Sequence, residues 1–373
     1  MKKILFLIHD LGAGGAEKVL VNLVNNMDYK KFDITVMALF GGGVNEQFLN
    51  PEVKYKTVFG RMIPGNSHLM KLFTPKQLHK MFIKEHYDIE IAYLEGPAAR
   101  IVSGCCDKDT KLVSWIHCTM QSRDDLTIAF RNYEEAIRCY QKFHISAFVA
   151  KTVETAFCKV CPNVKQPIVL YNTNESKRIQ ELAQEALEEN TINNTEFNWC
   201  GIGKLVPNKG FDRMLKVQNR LISEGYNVHF HAIGAGPKEE ELKQWCYENK
   251  LEDSVSFWGY QKNPYKILSQ CDLYVCASHA EGFSTAATEA LIVGTPVCTV
   301  EVSGMKEMLG ENNEYGIVTE NNENDLYKGI KSLLDNPQLL QYYKRKAEER
   351  GKTFSTENTV NAVEEVFFEL IKE

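Results

Sequence analysis

Short apolar runs alternate with helical stretches along the whole chain, in two successive series. This alternation most narrows what the chain can fold into. The first series contains Ile4–Ile8, Phe32–Leu39, Asp88–Tyr93, Lys111–Ile116 and Phe143–Ser146, with Ala16–Asn26 between the first two. In Ala16–Asn26 the residues Val19, Leu20, Leu23 and Val24 recur at helical spacing. Strands that are apolar throughout, joined by helices, form parallel sheets covered on both faces. The pattern pauses after Tyr171, where Ser176–Glu189 reads as a polar helix and Asn190–Glu196 as a polar linker. It resumes with Phe197–Ile202, Val228–Ile233, Val255–Trp258, Leu273–Ala277 and Pro296–Val300. The expected class is therefore α/β, with two Rossmann-like, doubly wound parallel-sheet domains and a cleft between them. The expected boundaries are 1–172 and 197–355, with a linker helix over 173–196. An amphipathic helix over 356–373 ends the chain.

In such sheets ligands gather at the carboxyl ends of the strands, so the strand-to-helix turns are the places to search. The richest is Glu281-Gly-Phe-Ser-Thr-Ala-Ala-Thr-Glu289, between the strand at Leu273 and the strand at Pro296. A helix beginning near Phe283 aims unpaired backbone N–H groups and a positive dipole end at the sheet edge, which suits a phosphate. Gly282, Phe283, Ser284 and Thr285 would supply those amides. Glu281 precedes them, and Glu289 is expected about two turns into the helix. A carboxylate accepts two hydroxyl hydrogen bonds and so holds a diol.

Gly201-Ile-Gly-Lys204-Leu-Val-Pro-Asn-Lys209-Gly opens the second series and puts two lysines at the same kind of turn. Two ammonium groups there would stabilise charge gathering on a leaving diphosphate. In the first series, His9-Asp-Leu-Gly12-Ala-Gly14-Gly15-Ala-Glu17 follows the first strand, and Trp115-Ile-His117 ends another. The glycine run is not a dinucleotide fingerprint, because the third glycine of that pattern would fall at Glu17.

These motifs together resemble those of retaining glycosyltransferases of family 4, which have the GT-B fold. The resemblance runs from Lys2 to Pro337. Glu281 and Glu289 match its paired glutamates, Lys209 its diphosphate lysine, and Gly14 and Gly15 its glycine-rich loop facing the donor. Lys204 stands where arginine is more frequent, which keeps the charge but loses the bidentate fork. The resemblance implies that Lys209, Lys204, Glu281 and His117 are catalytic. It also implies that Gly14, Gly15, Tyr260, Gly282, Phe283, Ser284, Thr285 and Glu289 bind the donor, with Glu289 on the ribose. It implies transfer of a sugar from a nucleotide sugar, a UDP-sugar, to a glycan or lipid-linked glycan in cell-surface polysaccharide synthesis. Retention without a metal or other cofactor is implied by the same resemblance. Two other readings stay open at this point: a nucleotide-sugar epimerase on the same fold, and a partner subunit that binds a nucleotide sugar without transferring it.

Composition bears on the surroundings. Net charge is −6, which argues against nucleic acid as a partner. Residues 1–170 hold 22 Lys+Arg against 17 Asp+Glu, and the remainder holds 21 against 32. The segment Arg61–Phe73, followed by Lys76, Lys80 and Lys84, mixes apolar and basic residues and would suit an anionic leaflet. A cytoplasmic protein, peripheral on the inner face of the plasma membrane, is the expectation. The eleven cysteines show no disulfide framework, and Cys158-Lys-Val-Cys161 lacks a second ligand pair. Asp107-Lys-Asp109 is read as solvated rather than metal-binding, so no metal site is expected.

Overall fold

The computed structural model describes residues 1–61, 70–187 and 192–372. The chain divides into two compact units, Met1–Asn174 with Thr356–Glu373, and Glu175–Ser355.

The first unit is built on seven strands: β1 (Lys2–Ile8), β2 (Phe32–Phe40), β3 (Lys54–Phe59), β4 (Ile89–Tyr93), β5 (Lys111–Ile116), β6 (Ile145–Phe148) and β7 (Pro167–Val169). They pair in the order β3-β2-β1-β4-β5-β6-β7, all parallel. β1 lies inside the sheet between β2 and β4, and Ile4 through Ile8 are all buried, as a strand covered on both faces requires. The Thr356–Lys372 helix packs on this sheet. Phe367 sits 6.2 Å from Phe6 and 6.5 Å from Phe32, ring centre to ring centre. Its Glu364 accepts hydrogen bonds from the Asp28 amide at 2.7 Å and the Lys31 ammonium at 3.0 Å.

The second unit has six strands: β8 (Phe197–Ile202), β9 (Val228–Ile233), β10 (Val255–Gly259), β11 (Leu273–Cys276), β12 (Val297–Val300) and β13 (Ile317–Thr319). Their order is β10-β9-β8-β11-β12-β13, again parallel. Its core gathers Trp199, Phe211, Met214, Phe230, Leu273, Val275 and Ile330. In both sheets the chain leaves the first strand in one direction and later returns to its other side. The reversals lie between β1 and β4, and between β8 and β11. Such switch points open a crevice at the carboxyl edge.

Two local expectations are corrected. The helix expected over Ser176–Glu189 ends at Ala183. Asn263 Nδ2 takes the Leu182 carbonyl at 2.9 Å, and Ser269 Oγ takes that of Ala183 at 2.8 Å. Those bonds satisfy the helix end where it stops; residues 188–189 lie outside the described ones. The helix expected from Phe283 starts at Thr285, because Ser284 takes the cap and accepts from the Ala287 amide.

Candidate functional site

The switch point of the second sheet brings together two loops far apart in sequence. One leaves β8 and makes a tight turn over Pro207–Lys209, then enters the Phe211–Ser223 helix through Gly210. Gly210 has φ +67°, and a Cβ there would lie 2.1 Å from the Ala277 carbonyl oxygen. Only glycine meets both demands. The other loop leaves β11. It is stitched to the first by the His279 amide, which donates to the Asn208 carbonyl at 2.8 Å. Asn208 Nδ2 donates to the Ala280 carbonyl at 2.9 Å.

This stitching sets Lys209 against Glu281. The ammonium donates to Glu281 Oε1 at 2.6 Å, and Ser278 Oγ donates to the same oxygen at 2.7 Å. The Glu281 side chain is only 11% exposed, while that of Lys209 keeps 31%. An ammonium has three N–H donors, so two are left for another acceptor. Ile202, Tyr274, Cys276 and Ser284 line the small pocket around the pair. Burial raises the Cys276 thiol and the Tyr274 phenol above their ordinary values, so both groups here are neutral.

The Thr285–Val293 helix begins beside this pair. Ser284 caps it, and Thr288 Oγ1 donates back to the Thr285 carbonyl at 2.7 Å. Phe283 turns its ring into the core, 5.8 Å from that of Phe354. Gly282 and Phe283 lie on the Gly304 turn, where a Cβ would crowd both, 3.1 Å from the Gly282 carbonyl oxygen and 2.8 Å from the ring. Glu289 falls in the second turn, about 6 Å along the axis from Thr285 at 1.5 Å per residue, rather than two full turns in. It is buried, and Oε1 accepts from the Tyr265 hydroxyl at 2.9 Å. Lys204 stays exposed after β8, with no ion pair among the described residues. Tyr260, just past β10, is 77% exposed.

The remaining expected residues stand at the carboxyl edge of the first sheet. Gly14 ends the loop after β1 and has no side-chain cap; a Cβ there would lie 1.9 Å from a Glu17 carboxylate oxygen. Gly15 is the first residue of the Gly15–Asn26 helix. His117 follows β5. Its amide donates to Glu95 Oε2 at 3.0 Å, and its ring lies 4.6 Å from that of Tyr93. Burial lowers its pKa to about 3, so the imidazole is neutral at working pH. Asp107 is exposed and pairs with His86 at 2.8 Å.

Sequence reasoning missed Ser278, Asn208, Tyr265 and Glu95. Ser278 ends the apolar run of β11, a signal open to reading. The others become visible only when strands meet.

Comparison with known proteins agrees with this architecture. Residues 182–350 match the family model described as glycosyl transferases group 1. The Campylobacter jejuni N-acetylgalactosamine-N,N'-diacetylbacillosaminyl-diphospho-undecaprenol 4-alpha-N-acetylgalactosaminyltransferase is 25% identical over 371 residues, covering 95% of this chain and 96% of that one. A glycosyltransferase of Haemophilus influenzae is 24% identical, covering 96% of this chain and 98% of its own. Among solved structures, Anabaena Alr3699/HepE in complex with UDP has a TM-score of 0.77 at 19% identity, covering 98% of this chain and 100% of that one. A glycosyltransferase from Rickettsia africae has a TM-score of 0.79 at 15% identity, covering 100% of this chain and 99% of its own. Over residues 182–350, the chain is therefore similar to the glycosyl transferases group 1 family.

Proposed function

We propose that the protein transfers a sugar from a UDP-sugar to a lipid-linked glycan, with retention at the anomeric carbon and without a metal ion. The observation that carries this is the Lys209–Glu281 pair beside the Ser284-capped helix, at the switch point of the second sheet. The two N–H donors left on Lys209 and the amides at Thr285 and after would receive the diphosphate. Glu281, held by Lys209 and Ser278, would orient the sugar. Glu289, held by Tyr265, would receive the ribose diol. Bond breaking builds negative charge on the departing phosphate oxygen, and Lys209 stabilises it where it develops. Lys204 adds charge at the rim. The acceptor hydroxyl attacks from the same face and its proton leaves to that oxygen, so no enzymic nucleophile is required. His117, neutral, would contact the sugar through its ring or backbone. UDP in the Anabaena complex supports the donor, and the Campylobacter enzyme's diphospho-undecaprenol glycan supports the acceptor.

The first unit would take that acceptor at a membrane face. Residues 62–69 of the basic apolar segment lie outside the described ones. The described residues from Met70 onward support the reading. Leu72 is 73% exposed, with Phe73 and Met81 partly so, beside the exposed Lys76, Lys80 and Lys84. Arg100 donates to the carbonyls of Met70 and Phe73, and Arg131 to those of Lys71 and Leu72. The backbone is thus pinned while Leu72 faces outward. No described helix is long and apolar enough to cross a membrane.

Incubation with a panel of nucleotide sugars in excess EDTA, with and without a diphospho-undecaprenol glycan, tests the reading. Slow donor hydrolysis, accelerated by the acceptor, is expected. Epimerised donor, or tight binding without turnover, would replace transfer with one of the rival readings.

A further inference from the structure

Glu90 breaks the pattern of its own strand. β4 reads Ile-Glu-Ile-Ala-Tyr, all five residues are buried, and the Glu90 side chain is 2% exposed. Its register partners are Leu5 and Leu112. A carboxylate in such a place is costly unless a positive partner meets it. His79 Nε2 lies 2.8 Å from Glu90 Oε2. A third ligand-type atom joins them: one atom from each of His79, Glu90 and Cys105 falls within 4.8 Å of the other two.

The three side chains come from three elements, and the local structure is shaped to let them converge. The Pro75–Phe82 helix, which carries His79, starts with a capping box between Thr74 and Gln77 and with Pro75 at its first position. Gly104 lies directly on that start. A Cβ at 104 would stand 2.0 Å from the Pro75 carbonyl oxygen and 2.8 Å from the Lys76 nitrogen. Only a glycine allows the turn to bring Cys105 so near the helix. Cys105 is half-buried, which leaves an entry path for an ion.

We propose that His79, Glu90 and Cys105 form a structural site for zinc or a zinc-like divalent ion. Thiolate, imidazole and carboxylate together are a zinc donor set, and water completes the tetrahedron on the exposed side. Magnesium and calcium prefer all-oxygen shells and do not fit. On binding, the thiol and the His79–Glu90 pair release protons to solvent, and the ion joins all three atoms. The site ties a helix, a central strand and a turn within the first unit. None of its three residues is among those assigned to the donor site.

Cobalt and zinc ions alone are the probes. The full chain is stripped of metal under reducing conditions and titrated with cobalt. A thiolate-to-cobalt absorption band should appear, saturate at one ion per chain and vanish on adding zinc. Cys105→Ser should abolish the band while circular dichroism shows an unchanged fold. His79→Gln and Glu90→Gln should weaken cobalt binding by at least about tenfold, as loss of a metal-site partner does. Cys106→Ser should leave the band intact. A missing band in the unaltered chain overturns the proposal, and so does a band that survives Cys105→Ser at full strength. In the first case the His79–Glu90 bond is satisfied by a proton alone; in the second another cysteine binds the cobalt.

Discussion

The carboxyl edges of the two sheets share a topology and differ in chemistry. At the second, charged groups are already partnered: Lys209 with Glu281 and Ser278, Glu289 with Tyr265. At the first, polar atoms are buried among rings. Among the described residues His117 Nε2, Tyr93 Oη and Trp115 Nε1 are enclosed without a hydrogen-bond partner. Tyr93 touches both other rings, at 4.6 Å from His117 and 5.2 Å from Trp115. One edge carries fixed charges and suits an ionic ligand. The other sets neutral rings stripped of water beside the Glu95 carboxylate, which accepts from the His117 amide. The same strand order therefore does not dictate the chemistry; the side chains on its loops do.

The largest test of this contrast is Lys209→Ala. A contact that strengthens as the glycosidic bond breaks appears in kcat, so a loss of about 10²–10³ in kcat is expected, as for an oxyanion donor. Donor affinity should fall less, and Lys209→Arg should restore only part. Near-normal turnover in a folded variant would reduce the pair to a structural one. Lys204→Ala should show the same pattern more mildly.

Glu289→Ala comes next. Loss of charge-assisted hydrogen bonds to a ribose costs about 1.5–3 kcal/mol each, so the donor KM should rise by tenfold or more. Tyr265→Phe removes only the support and should have a smaller effect. Unchanged nucleotide affinity in calorimetry of Glu289→Ala would refute the ribose assignment.

The enclosed rings of the first edge can be read from pH. Burial holds the His117 pKa near 3, whereas its unfolded value is about 6.5. Between these values the unfolded chain binds a proton that the folded one refuses, so stability falls as pH drops through the window. His117→Gln should flatten that acid limb, by at most about 1.4 kcal/mol per pH unit. His79 carries the opposite sign. In the metal-free chain, burial is outweighed by hydrogen bonds with Cys105 and Glu90, which raise its pKa to about 9, so its contribution is full below about 6.5 and fades as pH rises through 9. His79→Gln should flatten the alkaline limb instead. Denaturant midpoints across pH check both, and profiles superposing on the parent would erase the contrast.

The smallest effect concerns the membrane. The first unit should float with anionic vesicles at low salt, weakly, at about 1 kcal/mol per lysine near the surface. Salt should release it within the range of the Debye length, and Leu72→Glu should weaken it further. No flotation at low salt removes the membrane reading and leaves the donor site untouched.

Interior strands were legible, and of the four edge strands only β10 was. Lys111–Ile116, Phe197–Ile202 and Val228–Ile233 match their apolar runs residue for residue. β3, β7 and β13 escaped, and all three lie at sheet edges. Apart from Ile317 their residues are half-buried or exposed, and two of the strands have only three residues, so no long apolar run marks them. Of the site, Lys209, Glu281 and Glu289 were readable as motif members. The helix expected near Phe283 starts at Thr285, with Ser284 as its cap and the Phe283 ring packed on Phe354.

Periodicity is a property of neighbours along the chain, and burial enforces it locally. The sequence alone therefore determined two parallel sheets and which turns carry lysines, glutamates and glycines. Contacts between side chains need loops to close over long distances, and no local pattern encodes which side chains then meet. The tertiary structure decided that Lys209 bonds Glu281, 72 residues away, and that Tyr265 reaches Glu289. It also decided that Glu90, out of place in its strand, stands beside His79 and Cys105. A carboxylate buried in an apolar strand is a cost that only the assembled neighbourhood offsets.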